Sequence, residues 1–554
     1  MELGVVGDGP AVEAITAAVG DHSVSIQRLD PSALSTEPDA AAATAPDTGA
    51  VVESVDAAVF SAANITFDRW VAVEIGGIGG RPDADLAASV STFGPESACY
   101  ECLTTRVAAH SDGSAPNNLA GDDSAGNDPA GDDATIRLAG AIAGHRLLSL
   151  CASDAAGGRI KEVPGPERPI LPVPHCDCAE PSEQELTLTH RDVAVEDALA
   201  RAEQAVDDRI GLLSAVGERE SFPVPYYIAE LCETTGFSET AAAEFAAGTD
   251  TDWNRAYMNA IGEGLERYSA GVYRASDATT APETDVTNPI PPRRFVCPDG
   301  FETPTPDDQL AWVAGQKLPA AERVSLPAEF VRFPPSSQRF RPAITTGLGA
   351  GNSTIEAILA GLYETIERDA TMLGWYSTFQ PLGLSIADDG IAELQKRARA
   401  ESLTVSLLLV TQDIDVPVVA AAVHREEAWP QFAAGSAANL APTTAARSAL
   451  AEALQNWMEL RAMGPDAAAT QGGAIATYAD FPPAAQSFVD PSRTVSAESL
   501  GEPALSGHDE VEAICDRLAA VDLAASAVDV TTRDLAALGF AAVRVLVPAA
   551  QPLF

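Results

Sequence analysis

Residues 345–370 read TTGLGAGNSTIEAILAGLYETIERDA, a glycine-rich segment that leads directly into an apolar helical pattern. Glycines before a helix predict a turn whose backbone N–H groups, together with the helix N-terminus, can bind an anion. Within the helix, Glu364, Glu367 and Arg368 are spaced at i, i+3 and i+4, which places them on one face. Glu356 precedes Glu364 by two helical turns. The segment therefore predicts a charged helical face beside an anion-binding loop.

The same E-x-x-E-R spacing occurs in residues 259–270, which read NAIGEGLERYSA, and a third helix is predicted over 445–463. The helix of residues 259–270 carries Glu263, Glu266 and Arg267 on one face. The helix of residues 445–463 carries Glu452, Gln455 and Glu459 on one face. A single unit of this kind is usually a solvated face with an internal salt bridge. Carboxylates that converge from several helices, however, require cations between them, and such oxygen ligands suit Mg²⁺ carrying phosphates.

The sequence contains no G-x-x-x-x-G-K-[ST] motif, which excludes an ordinary P-loop. The chain has only three lysines, and none of Lys161, Lys317 and Lys396 follows a glycine loop. If ATP binds, Mg²⁺ and the arginines must neutralise its phosphates, as is general for phosphoryl transfer. The motifs thus predict ligands for ATP and Mg²⁺, but they assign no catalytic residue.

Four of the eight cysteines form two pairs, Cys99 with Cys102 and Cys176 with Cys178. Two thiolate pairs from distant segments can surround one tetrahedral ion, so the spacing predicts a structural zinc site. A redox C-x-x-C pair and disulfides are the alternatives, which the sequence around the motif and a reducing cytosol disfavour. Two histidines, His110 and His175, lie close enough in sequence to replace a cysteine ligand. We expect the isolated cysteines to pack as small apolar side chains, namely Cys151, Cys232, Cys297 and Cys515.

The chain carries 80 acidic residues against 34 basic ones, which gives a formal net charge of −46. Repulsion at such a surface is screened at molar salt, where the Debye length falls to roughly 3 Å, so the balance predicts a salt-adapted organism. An acidic protein from an ordinary cell is the alternative. The lack of a basic stripe argues against nucleic acid and anionic membranes as partners. Because neither an apolar run of about 18 residues nor a signal peptide is present, we expect a soluble, cytoplasmic protein.

The predicted fold class is α/β for the N-terminal part and α+β for the larger remainder. Residues 3–6 form a predicted strand that leads through Gly7-Asp8-Gly9 into a helix over 11–19, as in a Rossmann-like domain. We expect these glycines to serve the scaffold rather than a nucleotide, because the third glycine of the dinucleotide fingerprint is absent. Residues 57–61 and 70–75 are predicted as buried strands.

Composition places the domain boundary near residues 180–220. A charged, alanine-rich helix predicted from Glu183 to about Gly217 makes 181–220 a linker between domains of residues 1–180 and 221–554. Residues 112–134 are almost wholly small, polar or turn-forming, so we expect an exposed insertion loop there. The second domain contains predicted strands over 405–410, 418–423 and 541–547.

The carboxylate blocks resemble the YcaO family. The likeness is carried by residues 259–270 and 345–370, by ALAEALQNWMELR at 449–461 and by VRVLVPAAQPLF at 543–554, and it covers about residues 220–554. It implies ATP held by Mg²⁺ among helix-borne carboxylates, and the use of ATP to phosphorylate an amide oxygen so that a nucleophile can displace phosphate. The ATP- and Mg²⁺-binding residues that it implies are Glu263, Glu266, Arg267, Glu356, Glu364, Glu367, Arg368, Glu452 and Gln455.

The first 180 residues resemble the ThiF-like partner domain of azoline-forming cyclodehydratases, a relative of ubiquitin-activating folds. ACYECLTTRV at 98–107 and PHCDC at 174–178 carry this likeness. It implies a zinc tetrathiolate at the two cysteine pairs and a domain that helps to hold a substrate leader peptide. In this fused arrangement, one domain holds a peptide and the other activates it.

Two positions depart from the family pattern. Ala260 stands where the first motif usually has a serine, and residues 548–554 read PAAQPLF instead of the P-x-P-x-P tail typical of cyclodehydratases. ATP use is therefore more firmly implied than ring formation.

The resemblance implies ATP-dependent activation of peptide backbone amides. The favoured reaction is cyclodehydration of Cys, Ser or Thr to thiazoline or oxazoline in a ribosomally made peptide, as in bacteriocin biosynthesis. Thioamidation and an accessory role to a methylthiotransferase are alternatives within this chemistry, and a non-catalytic peptide-binding scaffold is the alternative of another class. The implied partners are a peptide or protein substrate, a sulfur-supplying or dehydrogenase protein, and a second copy of the chain in a homodimer.

Overall fold

The computed structural model describes residues 2–20, 22, 24–34, 46–110, 132–152, 157–178, 186–471, 475–501 and 505–553. The chain forms two compact units. Unit 1 comprises Met1–Ser182, Asp207–Ser214 and Cys232–Phe237, and unit 2 comprises Glu183–Val206, Ala215–Leu231 and Ser238–Phe554. Within the described ranges, none of the helices combines the length and the apolar character needed to span a bilayer.

Unit 1 is a mixed α/β structure. Its strands are β1 (Glu2–Val6), β2 (Ser25–Leu29), β3 (Thr48–Ser54), β4 (Arg69–Ile75), β5 (Gly77–Ile78), β6 (Arg81–Pro82), β7 (Ala88–Phe93), β8 (Arg159–Val163) and β9 (Glu167–Pro169). Its helices are α1 (Gly9–Gly20), α2 (Val59–Thr66), α3 (Tyr100–Ala109) and α4 (Asp133–Ala152). Seven strands form one sheet in the order β2-β1-β3-β4-β7-β8-β9, and β5 pairs with β6 separately.

The seven-stranded sheet changes direction at β4. Strands β2, β1, β3 and β4 are parallel to one another, whereas β7, β8 and β9 continue the sheet in antiparallel pairs. Strands β1, β3 and β4 are largely buried because helices α1 and α4 pack on this sheet and share its core, whereas the edge strand β2 is exposed or half-buried. Val12 of α1 and Leu147 of α4 join Val5, Val52 and Val73 in that core.

The beginning of unit 1 matches its prediction, since β1 leads through a glycine turn into α1. Gly7 at this turn has φ +107°, and a Cβ there would lie 2.1 Å from the carbonyl oxygen of Val52. The strand predicted over residues 70–75 is confirmed as β4, but the strand predicted over 57–61 is wrong. Those residues are a turn and the start of α2, and the apolar run was too short to distinguish a buried helix from a strand.

Unit 2 contains the remaining helices and strands. Its helices are α5 (Val195–Ala202), α6 (Trp253–Gly271), α7 (Ala328–Val331), α8 (Thr354–Trp375), α9 (Asp389–Ala400), α10 (Pro442–Met463), α11 (Pro465–Thr470), α12 (Ile475–Ala479), α13 (Pro483–Phe488), α14 (His508–Ala519) and α15 (Arg533–Ala537). The strands that follow β9 along the chain are β10 (Leu213–Glu220), β11 (Tyr226–Leu231), β12 (Phe245–Thr249), β13 (Thr279–Ala281), β14 (Leu310–Lys317), β15 (Glu322–Pro327), β16 (Leu348–Gly351), β17 (Leu382–Ser385), β18 (Thr404–Leu409), β19 (Val418–His424), β20 (Phe432–Ala438), β21 (Thr494–Ser496), β22 (Ser526–Asp529) and β23 (Ala541–Leu546).

These strands form three sheets. A three-stranded sheet has the order β10-β11-β12, and a five-stranded sheet has the order β20-β19-β18-β17-β21. In the third sheet the order is β13-β14-β22-β23-β16, with β15 paired to β14. The predicted strands over 405–410, 418–423 and 541–547 are confirmed as β18, β19 and β23.

Helix α8 packs between the five-stranded sheet and the sheet that contains β23. Its buried residue Ile366 shares one core with Val545 of β23 and Val418 of β19. Because side chains alternate along a strand, Val419 of β19 faces the opposite side, where it packs with α9 and α10 around Trp457. The two longest helices of unit 2 thus cover opposite faces of one sheet.

The linker helix predicted within 181–220 is wrong. Among the described residues 186–220, helical structure is confined to α5 and one following 3-10 turn, and strand β10 begins at Leu213. The physical reason is the Asp207–Gly211 segment, where the Asp207 side chain accepts hydrogen bonds from the backbone N–H groups of Arg209 and Ile210 and so forms a turn. The insertion loop predicted over 112–134 lies outside the described residues except for its last three, where α4 begins at Asp133.

Candidate active site and thiol cluster

Helix α8 carries the central part of a carboxylate cluster in unit 2. Glu364 accepts a hydrogen bond of 2.9 Å from the backbone N–H of Gly347, in the glycine segment before the helix. Arg368 lies 3.3 Å from Glu367 and 3.8 Å from Glu364, measured between side-chain nitrogen and oxygen atoms. Gly347 has φ +88°, and a Cβ there would lie 2.1 Å from the carbonyl oxygen of Val545. Only glycine therefore brings this backbone N–H to Glu364 without strain.

Strand β20 and helix α10 contribute the second part of the cluster. Ser436 of β20 donates its hydroxyl to Glu367 and its backbone N–H to Glu452, both at 2.7 Å. One residue thereby fixes a carboxylate of α8 and a carboxylate of α10. Gln455 follows Glu452 by one helical turn, and its Nε2 donates to Glu459 at 2.9 Å.

Helix α6 contributes the third part of the cluster. Arg267 donates to Glu263 at 2.8 Å, and both side chains are partly exposed. Burial, and then the charge of Glu364, raise the pKa of Glu266 to about 8. The carboxylates predicted on two separate helices therefore lie close enough in the fold to repel each other.

Arg368 is the cation around which the three helices converge. Burial alone would lower the pKa of its guanidinium, but the charges of four carboxylates outweigh burial and raise it. Those carboxylates are Glu367, Glu452, Glu364 and Glu263, which come from α8, α10 and α6. The structure thus brings together seven of the nine residues predicted to bind ATP and Mg²⁺, and Gln455 lies beside them, one helical turn from Glu452.

The cluster holds more negative charge than its arginines compensate. Burial raises the pKa of Glu367 to about 8, with the charges of Glu452 and Glu364 adding to the effect, and burial also raises the pKa of Glu452. Carboxylates with raised pKa values bind protons until a cation replaces them. Several carboxylate oxygens in one cluster are the ligand type that Mg²⁺ prefers, so the donor set fits Mg²⁺.

Glu356 is the predicted residue that lies apart from this cluster. It is exposed in the first turn of α8, and its carboxylate accepts from the backbone N–H of Asn352 at 2.9 Å. Asn352 in turn accepts a hydrogen bond of 2.6 Å from Arg201, which also donates to the carbonyl oxygen of Gly539 at 2.8 Å. Glu356 therefore organises the end of the glycine segment in this structure, about 12 Å along the helix from Glu364.

Arg544 lies beside the site and was not among the residues predicted from the sequence. This fully buried residue of β23 donates to the carbonyl oxygens of Thr345 at 2.7 Å and Ile344 at 2.9 Å, and thereby holds the start of the glycine segment. Burial lowers its pKa to about 10, although the charges of Glu364 and Glu266 oppose that effect. An arginine in an otherwise apolar strand is the signal that could have identified it, since arginine is almost never fully buried without a partner.

In unit 1, the four predicted cysteines lie together, with their sulfur atoms all within 4.8 Å of one another. The Sγ–Sγ distances are 3.8 Å for Cys99–Cys102, 3.6 Å for Cys99–Cys176 and 3.6 Å for Cys102–Cys178. A tetrahedral zinc ion with Zn–S bonds of about 2.3 Å requires sulfur atoms about 3.8 Å apart. The cluster is therefore compatible with zinc.

The protonation of the thiols points the same way. A hydrogen bond from Cys176 is the main cause that lowers the pKa of Cys102 to about 7, whereas hydrogen bonding to the ionised neighbour raises the pKa of Cys99. Four thiols this close repel one another when ionised, so a cation favours their joint ionisation. The backbone N–H of Val173 also donates to Cys102 at 3.3 Å, which is a typical outer contact of a metal-bound sulfur.

The alternative ligands and the isolated cysteines have other surroundings. His110 makes a hydrogen bond of 2.9 Å with the carbonyl oxygen of Gly211, and no histidine belongs to the group of candidate ligands found among the described residues. Cys232 and Cys515 are buried, as expected for small apolar side chains, whereas Cys151 and Cys297 are only partly buried.

A protein-family model described as YcaO cyclodehydratase, ATP- and Mg²⁺-binding, matches residues 247–551, which include all of the carboxylate cluster. The chain belongs to the YcaO family. The predicted membership of this family of ATP-dependent, cyclodehydratase-type enzymes is confirmed, and the match begins at residue 247, within β12, whereas the resemblance covered about residues 220–554. The YcaO match leaves unit 1 and strands β10 and β11 outside its range.

Solved structures of YcaO proteins and heterocyclases have a similar fold. A heterocyclase in complex with substrate and cofactor covers the whole chain and 81% of its own length, with 16% identity and a TM-score of 0.71. The heterocyclase TruD also covers the whole chain and 79% of its own length, with 18% identity and a TM-score of 0.61. The YcaO protein from Methanopyrus kandleri, bound with AMPPCP and Mg²⁺, covers 65% of this chain and 91% of its own, with 24% identity and a TM-score of 0.52. The mixed α/β fold predicted for the chain is thereby confirmed.

An uncharacterised protein from Methanothermobacter thermautotrophicus is a curated relative. It is 29% identical over 231 residues, which are 40% of this chain. The match spans 58% of the length of that relative.

Proposed function

We propose that this YcaO protein uses ATP to activate backbone amides of a peptide, most directly for cyclodehydration of Cys, Ser or Thr residues to thiazoline or oxazoline. The observation that carries the proposal is the convergence of carboxylates from α6, α8 and α10 around Arg368, within the segment that matches the ATP- and Mg²⁺-binding family. The Methanopyrus kandleri protein of similar fold, bound with AMPPCP and Mg²⁺, supports the same class of ligands for this chain.

The residues have distinct roles in this proposal. Glu263, Glu266, Glu364, Glu367 and Glu452 bind Mg²⁺ through carboxylate oxygens, and Gln455 adds an amide oxygen. Arg267 and Arg368 orient these carboxylates and compensate charge on the phosphates. ATP supplies the phosphoryl group that converts an amide oxygen into a leaving group. The attacking thiol or hydroxyl of the peptide forms the new bond to the amide carbon, and phosphate leaves with the former amide oxygen.

The glycine segment has a role in nucleotide binding. Arg544 holds the carbonyl groups of residues 344 and 345, while Glu356, Asn352 and Arg201 organise the other end of the segment. We infer that this anchoring fixes the backbone beside the phosphates, so that Glu356 affects ATP binding through the loop or through a second ion.

The first test is ATP turnover by the purified protein at molar KCl with Mg²⁺ and candidate peptides. We expect turnover in the wild type and a loss of about 100-fold or more in Glu364→Gln and Glu367→Gln, because each variant lacks a carboxylate that holds Mg²⁺ at the phosphates. Glu393→Gln is the matched control, since Glu393 is an exposed glutamate of α9 that pairs with Arg397. If the folded wild type bound no ATP with peptide and partner present, the enzyme hypothesis would fail and a peptide-binding scaffold would be favoured.

The mass of the peptide product identifies the reaction. Ring formation removes one water per modified residue, whereas thioamidation replaces one oxygen by sulfur and requires a sulfur-supplying partner. An accessory role to a methylthiotransferase would leave the peptide mass unchanged without that enzyme. We therefore expect loss of water, with a dehydrogenase partner needed only for oxidation of the ring.

We further propose that residues 1–180 form a ThiF-like domain that binds the substrate leader peptide and is held by zinc at Cys99, Cys102, Cys176 and Cys178, while residues 221–554 activate the core peptide. The sulfur distances and the backbone N–H of Val173 donating to Cys102 support zinc at this cluster. Wild-type protein purified with and without a strong chelator should differ in zinc content and in leader-peptide affinity. A homodimer in the cytoplasm of a salt-adapted organism completes the proposal, and its charge of −46 supports that origin.

A further inference from the structure

We infer that Tyr226 and Glu459 are positioning residues that fix the carboxamide of Gln455, so that its Oε1 and not its Nε2 faces the carboxylate cluster. This inference rests on the proposed function, because it assigns the amide oxygen to the nucleotide and Mg²⁺ site. Tyr226 belongs to β11 and precedes residues 247–551, so the family match does not account for it.

Two hydrogen bonds define the orientation of the amide. The Tyr226 hydroxyl donates to Glu459 Oε1 at 2.8 Å, and Gln455 Nε2 donates to the same oxygen at 2.9 Å. A carboxylate only accepts hydrogen bonds, so the group of Gln455 that meets Glu459 must be its NH₂. The Tyr226 hydroxyl adds a second donor to that oxygen and holds the carboxylate in place.

The three residues lie at the edge of the carboxylate cluster. Gln455 follows Glu452 by three positions on α10, which places both side chains on the same helical face. Tyr226 lies close enough to Glu263 that, after burial and Glu459, the charge of Glu263 contributes to raising the pKa of the phenol. The phenol therefore remains a hydrogen-bond donor throughout the physiological range of pH.

The orientation of the amide leaves the Oε1 atom of Gln455 available to a ligand. Across the part of the chain that the structure describes, Gln455 Oε1 accepts no hydrogen bond from protein. An amide oxygen is a suitable ligand for Mg²⁺, whereas an amide nitrogen carries protons and would repel the cation. If the Gln455 carboxamide flipped by about 180°, the cluster would lose one oxygen ligand and would face an N–H donor instead. The Tyr226–Glu459 pair prevents that exchange.

The experiment measures binding of AMPPCP with Mg²⁺ by calorimetry at molar KCl, in the wild type, Tyr226→Phe and Glu459→Gln. We expect Mg²⁺-dependent affinity to fall roughly 10-fold or more in Glu459→Gln, as for other residues that orient metal ligands, and less in Tyr226→Phe. The midpoint of thermal unfolding measured without Mg²⁺ should change little. Glu459→Gln has the larger effect because a glutamine at 459 can donate or accept and no longer selects one orientation.

A double-mutant cycle distinguishes positioning from a direct contact. If Glu459 acts through Gln455, then Glu459→Gln should have no further effect on Mg²⁺-dependent affinity in a Gln455→Ala background. An undiminished loss in that background would overturn the inference, because Glu459 would then act by another route.

The matched control is a second tyrosine–glutamate hydrogen bond in unit 2, between Tyr363 and Glu510. Tyr363→Phe and Glu510→Gln remove the same kind of bond at a different place and should leave AMPPCP binding unchanged. Equal effects of the control pair and the test pair would overturn the inference, and so would wild-type affinity in both test variants. Failure of the wild type to bind AMPPCP with Mg²⁺ is a different outcome, because it overturns the proposed function itself.

Discussion

Ser436 shows how much of the site depends on one small side chain. Its hydroxyl and its backbone N–H each hold a carboxylate from a different helix. We expect Ser436→Ala to weaken Mg²⁺-dependent ATP binding roughly 10-fold, because Glu367 loses the donor that orients it. The free energy of unfolding should fall by only about 1 kcal/mol. Ser325→Ala, which removes a hydroxyl hydrogen bond of 3.0 Å at a half-buried position of β15, is the control for calorimetry and thermal unfolding. Equal ATP affinity in both variants would contradict this prediction.

Adding a single methyl group at Gly347 should lower both the stability of the protein and its affinity for ATP. Its positive φ and the 2.1 Å approach to Val545 predict that Gly347→Ala strains the loop, with a loss of about 1–3 kcal/mol in the free energy of unfolding. Binding of ATP should fall as well, because the N–H donor to Glu364 moves. Gly262→Ala in α6 is the opposite case, since an added Cβ meets nothing within 4 Å there. That variant should be more stable by up to about 1 kcal/mol. Denaturant titration of both proteins checks the pair.

At the scale of elements, the convergence of α6, α8 and α10 predicts a dependence of stability on pH. Glu266 and Glu367 have pKa values of about 8, against 4.5 for an ordinary glutamate. Between those values the folded protein retains protons that the unfolded chain releases, so the free energy of unfolding falls as pH rises toward about 8. Bound Mg²⁺ replaces the protons, and its stabilising effect should be greater at about pH 9 than at about pH 6. Thermal unfolding with and without Mg²⁺ measures this difference, which the double variant Glu266→Gln and Glu367→Gln should abolish.

Helix α3 and the segment that carries Cys176 and Cys178 meet at the thiol cluster, so metal should stabilise their arrangement. We expect one zinc ion per wild-type chain and little in Cys176→Ser, with earlier unfolding of unit 1 in urea. Cys151→Ser, at a partly buried cysteine of α4, should keep both zinc and stability. Full zinc content in Cys176→Ser by elemental analysis would refute the assignment.

The helices of the site could be predicted from sequence because their charged faces follow the helical repeat, as Glu364, Glu367 and Arg368 do. Contacts between distant segments could not be predicted in this way. Ser436 and Arg544 reach the cluster from strands, and no local periodicity connects them with α8. The apolar run at 57–61 and the charged run at 183–217 were misassigned because short patterns fit more than one structure until tertiary contacts select among them.

For the whole molecule, the net charge of −46 predicts that salt controls stability. Raising KCl from about 0.1 M to about 1 M shortens the Debye length from about 10 Å to about 3 Å, which screens repulsion over the entire surface. We expect the midpoint of thermal unfolding to rise steadily over this range. A neutral osmolyte at the same osmolality should not reproduce the effect, because it does not screen charge. A midpoint independent of KCl would argue for an ordinary intracellular origin.

The position of α8 between two sheets links folding to catalysis. Ile366 is packed on both sides by strands, and the adjacent Glu367 takes part in the carboxylate cluster. The helix cannot rotate or slide without opening the hydrophobic core that it shares with both sheets, so its ligands are held before any nucleotide binds. Conformational change on nucleotide binding must then occur in less tightly packed segments, such as the glycine segment. Hydrogen exchange of the α8 amides should accordingly require global unfolding of unit 2, while exchange in residues 345–352 should respond to nucleotide alone.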